Sequence, residues 1–382
     1  MHTDGSLKSR IRREAERLGF DRVGVASAGP APHFEAFARW IADGRHGDMA
    51  YLARRMPQRA DPRAVFAQAE SVLVVGMNYC AGGDSAPSGL QGRFGRYALG
   101  REYHAVVRCR LQALLGWLRT AEPSAEGRCF VDTGPVLEKA WGSRTAIGWM
   151  GKNTTLISRR LGSWMVLGVV LLNLPLEPDL PAEDGCGTCR RCIDACPTGA
   201  LVAPYVLDAR LCVSYLTIEH RGPIPRRLRP LIGNRIFGCD ACQEACPYNR
   251  FENLDGKTWL APAAAGGAAD LIPLAGMTDG EFRRRFRNTP VLRATRDGFV
   301  RNVVTALGNS GRSEAVPALE KALEDPSPLV RSTAAWALGR LSPQSVRRLL
   351  PETLGRERDP LVLEELRAAA AGHFFYFQRQ DP

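Results

Sequence analysis

The stretch CGTCRRCIDACPTGA, residues 186–200, places Cys186, Cys189, Cys192 and Cys196 within eleven positions, with Pro197 behind the last. Residues 239–249, CDACQEACPYN, add Cys239, Cys242 and Cys246, again followed by proline. Structural zinc sites usually pair two short thiolate hooks across a longer loop. Here three thiols recur at C-x-x-C-x-x-C and a fourth follows after three residues, the spacing of a two-cluster iron–sulfur module. Three thiolates on one tight loop cover three corners of a cube, and the fourth, carried onward, serves the other cube. Two cubes need eight thiolates, and Cys212 in ARLCVSYL completes the set. The rule pairs Cys186, Cys189, Cys192 and Cys246 on one 4Fe-4S cluster, and Cys196, Cys212, Cys239 and Cys242 on the other. Such clusters pass electrons one at a time. Of the remaining thiols, Cys80, Cys109 and Cys129, the first and last lie in or beside apolar strand-like runs and read as small buried hydrophobes.

The elements that must hold these groups follow from pattern and length. At 382 residues the chain is long enough for two or three domains, and 45% hydrophobic with 24% charged residues is ordinary globular composition. The polar start MHTDGSLKSR carries no apolar signal segment, and the longest apolar run, WMVLGVVLL, is about half a membrane span, so a cytoplasmic protein is expected. In that compartment thiols stay reduced, which favours metal ligation over disulfides.

Residues 1–180 alternate helical and strand-like segments. SLKSRIRREAERLGF has helical spacing, and YHAVVRCRLQALLGWLRTA is a long amphipathic helix. DRVGVAS, SVLVVGMNY, RCFVDTG and WMVLGVVLLN read as strands. LPLEPDLPAED is a linker into a cluster module over 181–260, and APAAAGGAAD, residues 261–270, is a second linker opening a segment that runs to 294. From 295 to 382 the chain repeats: FVRNVVTALGNSG and LVRSTAAWALGRLS match at Val300/Val330 and Arg301/Arg331, with Asp-Pro turns at Asp325 and Asp359. A period near thirty residues predicts stacked helical hairpins of the HEAT type.

Two further segments could carry chemistry. In CFVDTGPVLEKAW, Asp132 ends a predicted strand and Pro135 suits the first turn of the next helix, so Asp132 is either a helix cap or an acid at the mouth of an α/β pocket. AIGWMGKNTT looks like a phosphate loop but has Ala146 and Asn153 where that motif needs glycine and a hydroxyl, and no G-x-G-x-x-G follows a strand. A net charge of +11 attracts anionic partners of any kind. Arginines cluster at Arg221, Arg226, Arg227, Arg229 and Arg235, and again at Arg283, Arg284, Arg285 and Arg287. Each cluster is either an anion-binding surface or a solvated helix face.

GRYALGREYH (95–104), VDTGPVLEKAW (131–141), GWMGKNTTLI (148–157), the two cysteine runs, CVSYLT (212–217) and the repeat tail together resemble the epoxyqueuosine reductase family from end to end. The resemblance implies an α+β protein: an N-terminal α/β, nitroreductase-like domain that binds cobalamin, a ferredoxin-like module with two 4Fe-4S clusters, and all-α HEAT-like repeats. It implies reduction of epoxyqueuosine to queuosine at the wobble position of GUN-anticodon tRNAs (Tyr, His, Asn and Asp). It implies also an external one-electron donor such as flavodoxin or ferredoxin, and a monomer that binds no membrane. Opening the epoxide develops an alkoxide, a poor leaving group until protonated, and Asp132 is the implied general acid. By position in the matching motifs, Arg59, Gly95, Asp132, Lys152, Asn153, Leu156, Leu167, Ser214 and Asp240 are the implied cobalamin contacts, and His220, Arg221, Arg301 and Arg331 the implied tRNA-phosphate contacts. Glu102 stands where the family usually has aspartate. The rival readings are a cobalamin-dependent reductive dehalogenase, an electron-carrier module, and a tRNA-binding scaffold with structural clusters. A dehalogenase has no use for the basic tail, a carrier leaves Asp132 and the repeat tail idle, and a carrier or scaffold would hold iron and sulfide without affinity for cobalt.

Overall fold

The computed structural model describes residues 5–80, 89–250 and 268–372. Its N-terminal part is built on a four-stranded sheet of Arg22–Ser27, Ser71–Asn78, Met165–Leu172 and Gly127–Phe130, in that order, with every pairing antiparallel. Both central strands are almost wholly buried, which is why they read as unbroken apolar runs. One face packs Leu73, Val75 and Val170 against Ile11 and Ala15 of helix Leu7–Arg17 and Val107, Leu111 and Leu114 of helix Tyr103–Ala121. The other face packs Val72, Val74, Val169 and Leu171 against Val136, Trp141 and Leu156.

The expected strand RCFVDTG is shorter than its pattern. Pairing stops at Phe130, and Asp132 turns into the left-handed region at φ 55°. The next helix begins only at Glu138, so Pro135 is not in its first turn and Asp132 is not its cap. Cys80 is buried as expected; Cys129 is partly buried on the edge strand, and Cys109 is exposed.

Three distant pieces of chain meet in a second sheet. Gln91–Phe94 is its centre, with Arg235–Phe237 parallel on one side and Ala268–Asp270 antiparallel on the other. The expected linker 261–270 therefore ends in a strand; residues 261–267 lie outside the described residues. Ala269 is small enough to be buried there. The helices that follow, Leu271–Ala275 and Asp279–Arg285, join the core of the repeat tail through Leu271, Leu274 and Phe282 rather than bridging open solvent.

The tail stacks Thr295–Asn309, Val316–Ala322, Pro328–Leu341, Pro343–Arg356 and Pro360–Ala370. Its Asp-Pro turns are functional in the packing: the Asp325 carboxylate takes two bonds from Arg296 and caps Ser327, while Asp359 caps Leu361 and Val362. Among the described residues no helix is long and apolar enough to cross a membrane.

Candidate functional site

Asp132 stands at the head of the long helix Tyr103–Ala121. Glu102 caps that helix, accepting from the His104 amide, and its carboxylate also bonds His104 Nδ1 at 2.6 Å. The other ring nitrogen, Nε2, lies 3.1 Å from Asp132 Oδ2, and the Tyr103 hydroxyl donates to the same oxygen at 3.0 Å. Tyr103 and His104 stack with ring centroids 4.0 Å apart. The left-handed Asp132 backbone is held from behind, where its N–H donates to Glu138 Oε1 at 2.6 Å. The Asp132 side chain is 62% exposed, so its carboxylate faces an opening.

The proton distribution follows from these contacts. Burial would raise the Asp132 carboxyl, but the bond to His104, that ring's charge and the Tyr103 hydroxyl outweigh it and hold the group below the usual carboxylate range. Burial opposes charge on His104 as well, yet bonds to Asp132 and Glu102 push it up to about 9. Burial and the nearby Asp132 charge push Glu138 up to about 8. A carboxylic acid waiting at Asp132 is thus not what the geometry provides: at neutral pH the proton sits on His104, one hydrogen bond away. Sequence reasoning missed His104, Tyr103 and Glu138. They stand inside quoted motifs, but no periodicity reveals that residues 103–104 and 132 meet.

The eight cysteines form two neighbouring groups. Cys192 is within electrostatic reach of Cys186, Cys189 and Cys246, and Cys246 of Cys186 and Cys189. Cys242 is within reach of Cys212, Cys239 and Cys196, and also of Cys192, which puts the two groups side by side. These are the two sets expected from spacing. Among the described residues no three His, Cys, Asp or Glu side chains converge as a single metal ion would need; thiolates around a cube stand farther apart than around one ion. The first group is sheltered by Trp149, whose indole N–H points at Cys186 Sγ, and by Tyr248, which crosses Trp149 edge-on and donates to Gly185 O. Lys152 donates to Gly187 O and Cys189 O, pinning the first cysteine loop. The second loop is tied to the N-terminal sheet through Gln243, which bonds Tyr79 and Ser163, and through Asn249, which bonds Ser163 in both directions.

Of the other expected cofactor residues, Gly95 and Asp240 lie side by side. Arg96 N donates to Asp240, whose carboxyl is pushed up to about 6, chiefly by burial. Gly95 lies against Gly238, which is left-handed at φ +74°; a methyl on Gly238 would come within 3.3 Å of the Gly95 Cα. Ser214 is on the short helix Val213–Ile218, whose Thr217 hydroxyl accepts from Gly238 N. Half-buried Tyr97 feels the charge of both Asp240 and Asp132. Leu156 and Leu167 form apolar wall in the sheet's second face. Among the buried polar atoms without a partner are Arg59 Nε and Asn153 Nδ2. Both are donors, and both belong to residues expected to touch a cofactor.

The expected phosphate contacts make bonds within the chain. Arg301 is 1% exposed, and its guanidinium donates to Leu216 O, His220 O and Gly222 O. Arg331 forks onto Glu357 and reaches Asp325 O. His220 is held between Asp48 and Pro223 O, and Arg221 between Ile218 O and Arg293 O. Two members of the basic cluster around residue 229, Arg226 and Arg229, converge on Glu365 of the tail. These side chains dock the repeats onto the cluster module.

Comparison with known proteins agrees with this anatomy. A family described as 4Fe-4S double cluster binding domain matches residues 185–249, one described as Epoxyqueuosine reductase QueG, DUF1730 matches 59–133, and HEAT repeats match 290–371. Epoxyqueuosine reductase of Xanthomonas campestris is 40% identical over 87% of this chain and 95% of its own. That of Escherichia coli K12 is 36% identical over 87% and 89%. A crystal structure of epoxyqueuosine reductase with a tRNA-Tyr epoxyqueuosine-modified stem loop superposes with a TM-score of 0.88 at 30% identity, covering 96% of this chain and 98% of that one.

Proposed function

The chain belongs to the epoxyqueuosine reductase family, and we propose that it reduces epoxyqueuosine to queuosine at the wobble position of GUN-anticodon tRNAs, using cobalamin and two 4Fe-4S clusters. It is an oxidoreductase with a double-cluster domain. The observation that carries the finer reading is the Glu102–His104–Asp132 relay, in a chain that also holds two groups of thiols and two buried, unpaired donors.

The residues present fit a corrinoid. Its ring carries carboxamide groups, acceptors that would satisfy Arg59 Nε and Asn153 Nδ2, and its apolar body suits Leu156 and Leu167. Gly95, Ser214 and Asp240 would line the side nearer the clusters, and Asp132 the substrate side. Lys152 is placed to fix the Cys186–Cys189 loop rather than to hold the corrinoid directly. When bound, the corrinoid supplies a reducible cobalt centre, fed singly by the clusters.

The protein's own contribution is proton supply and positioning. Removing the epoxide oxygen as water consumes two electrons and two protons. As the C–O bond opens, Asp132 relays to the oxygen the proton held on His104 Nε2, 3.1 Å away. Glu102 keeps the imidazole charged and oriented, and Tyr103 keeps Asp132 Oδ2 in line. Glu138 is a positioning residue that holds the Asp132 loop inward.

Mass spectrometry of tRNA nucleosides from a strain lacking the gene tests the substrate. Accumulated epoxyqueuosine is expected, and unchanged queuosine defeats the assignment. Cys186→Ser and Cys242→Ser test the pairing. Each should halve the iron of reconstituted protein, from about eight to about four per chain, and each should remove a different cluster's spectroscopic signal.

A further inference from the structure

The four expected phosphate contacts make internal bonds, and a further group of arginines stands open on the N-terminal sheet. A cavity of about 800 Å³ runs along the free edge of strand Gly127–Phe130 and takes its walls from Arg55, Arg108, Arg119 and Arg128, with no acidic residue among them. All four arginines are exposed. Arg55, Arg108 and Arg119 have no ion-pair partner among the described residues, unlike the docked Arg229, Arg296 and Arg331. The nearest acid sensed by Arg108, Glu102, is already bonded to His104. Arg128 gives one bond to Val65 O and keeps its other donors. Four like charges facing one hollow repel one another, and an anion there relieves the repulsion.

The layout selects a long anion over a small one. Arg108 and Arg119 sit on one face of the same helix, about 16 Å apart along its axis at 1.5 Å per residue, too far to grip one phosphate. The groove also leads to the candidate site: Phe130 and Pro135 of its wall flank Asp132. Four residues before Arg55, Tyr51 is 42% exposed, senses the Asp132 charge and has the Arg293 guanidinium 5.4 Å from its ring centroid. An exposed aromatic ring beside a basic track is how proteins hold unpaired nucleotides.

We propose that this groove is an RNA-backbone track: Tyr51 stacks on a base next to the one entering the Asp132 site, and Arg55, Arg108, Arg119 and Arg128 hold the phosphates that follow. The proposal rests on the tRNA reading above and adds where the strand lies. A second copy pairing with the free strand edge would bring the same four arginines against their equals, which disfavours it.

The test uses the full chain carrying its clusters and corrinoid, and a synthetic anticodon stem-loop RNA with a GUN anticodon, followed by fluorescence anisotropy between 50 and 200 mM salt. Arg108→Gln with Arg119→Gln should weaken binding roughly tenfold or more and flatten the log–log salt slope by about 1.4–1.8. Iron, corrinoid, melting temperature and turnover at saturating RNA should stay as in the parent. Arg128→Gln alone should remove about 0.7–0.9 of slope, a check that does not depend on the double variant. Unchanged affinity and slope overturn the proposal. So does loss of corrinoid with RNA binding intact, or a change of oligomeric state with the slope intact. Parent protein that binds the RNA but leaves epoxyqueuosine unreduced defeats the function instead, because binding and turnover are read separately.

Discussion

Two carboxylates compete for one imidazolium at the mouth of this site, and that competition sets when a proton is available. His104 is raised to about 9 in the folded chain, above its ordinary value of 6.5. A raised cationic group stabilises the fold fully below its unfolded pKa and loses that contribution as pH climbs through the folded one. The melting-temperature gap between the parent and His104→Gln should therefore be widest below about pH 6.5 and close as pH passes about 9. Turnover should follow the same upper limit, falling above about pH 9, and His104→Gln should move that limb to lower pH by leaving a carboxyl alone in control. A pH–rate profile with no shift in the variant would reduce His104 to a structural part. Asp132→Asn should cost about 10²–10⁴-fold in turnover with corrinoid still bound; full activity would dismiss the proton-donor role. The position of Asp132 past a strand could be read from its motif, and the grouping of the cysteines from spacing. His104 could not be, because helix and loop meet through a tertiary turn that no short-range pattern encodes.

Among the elements, the repeat helices were the more legible in outline and the less legible in role. Matching Arg301 with Arg331 located the stacked helices Thr295–Asn309 and Pro328–Leu341 correctly. For Arg301 the inference from arginine to phosphate does not hold, since a buried guanidinium can be consumed by carbonyls of a neighbouring element as readily as by a ligand. Arg301 closes the C-terminal end of the Val213–Ile218 helix by bonding Leu216 O and the carbonyls after it. Neighbouring Asn302 joins Thr217 O to Ile236 O. Arg301→Met should destabilise the chain by about 3 kcal/mol, as stranded carbonyls lose a charged donor. Denaturant unfolding measures this, and the salt slope of RNA binding should not change. A lowered slope with unchanged stability would restore the phosphate role. The strand lengths were readable where both neighbours are buried, as in Ser71–Asn78. They were misread at RCFVDTG, where apolar content continues past the last pairing at Phe130.

At the scale of the whole molecule, the three predicted domains share structure rather than a string of linkers. Gln91–Phe94 needs a strand from the cluster module on one side and one from beyond it on the other. Phe94 then packs against Phe286 and Phe299 of the tail. A chain ended after residue 250 should therefore lose its corrinoid along with its RNA affinity, because the same sheet places Gly95 and Asp240. Retention of bound corrinoid by that fragment, read from its visible absorption, would show the tail to be a separable accessory. The parallel strand pair also has a consequence for biosynthesis. Cys186 emerges from the ribosome long before Glu365, which latches Arg226 and Arg229. At about 5–20 residues per second the interval is roughly ten to forty seconds. Throughout it the nascent thiols are without their finished shelter, so iron and sulfide delivery has a window that shuts only as translation of the last repeat ends.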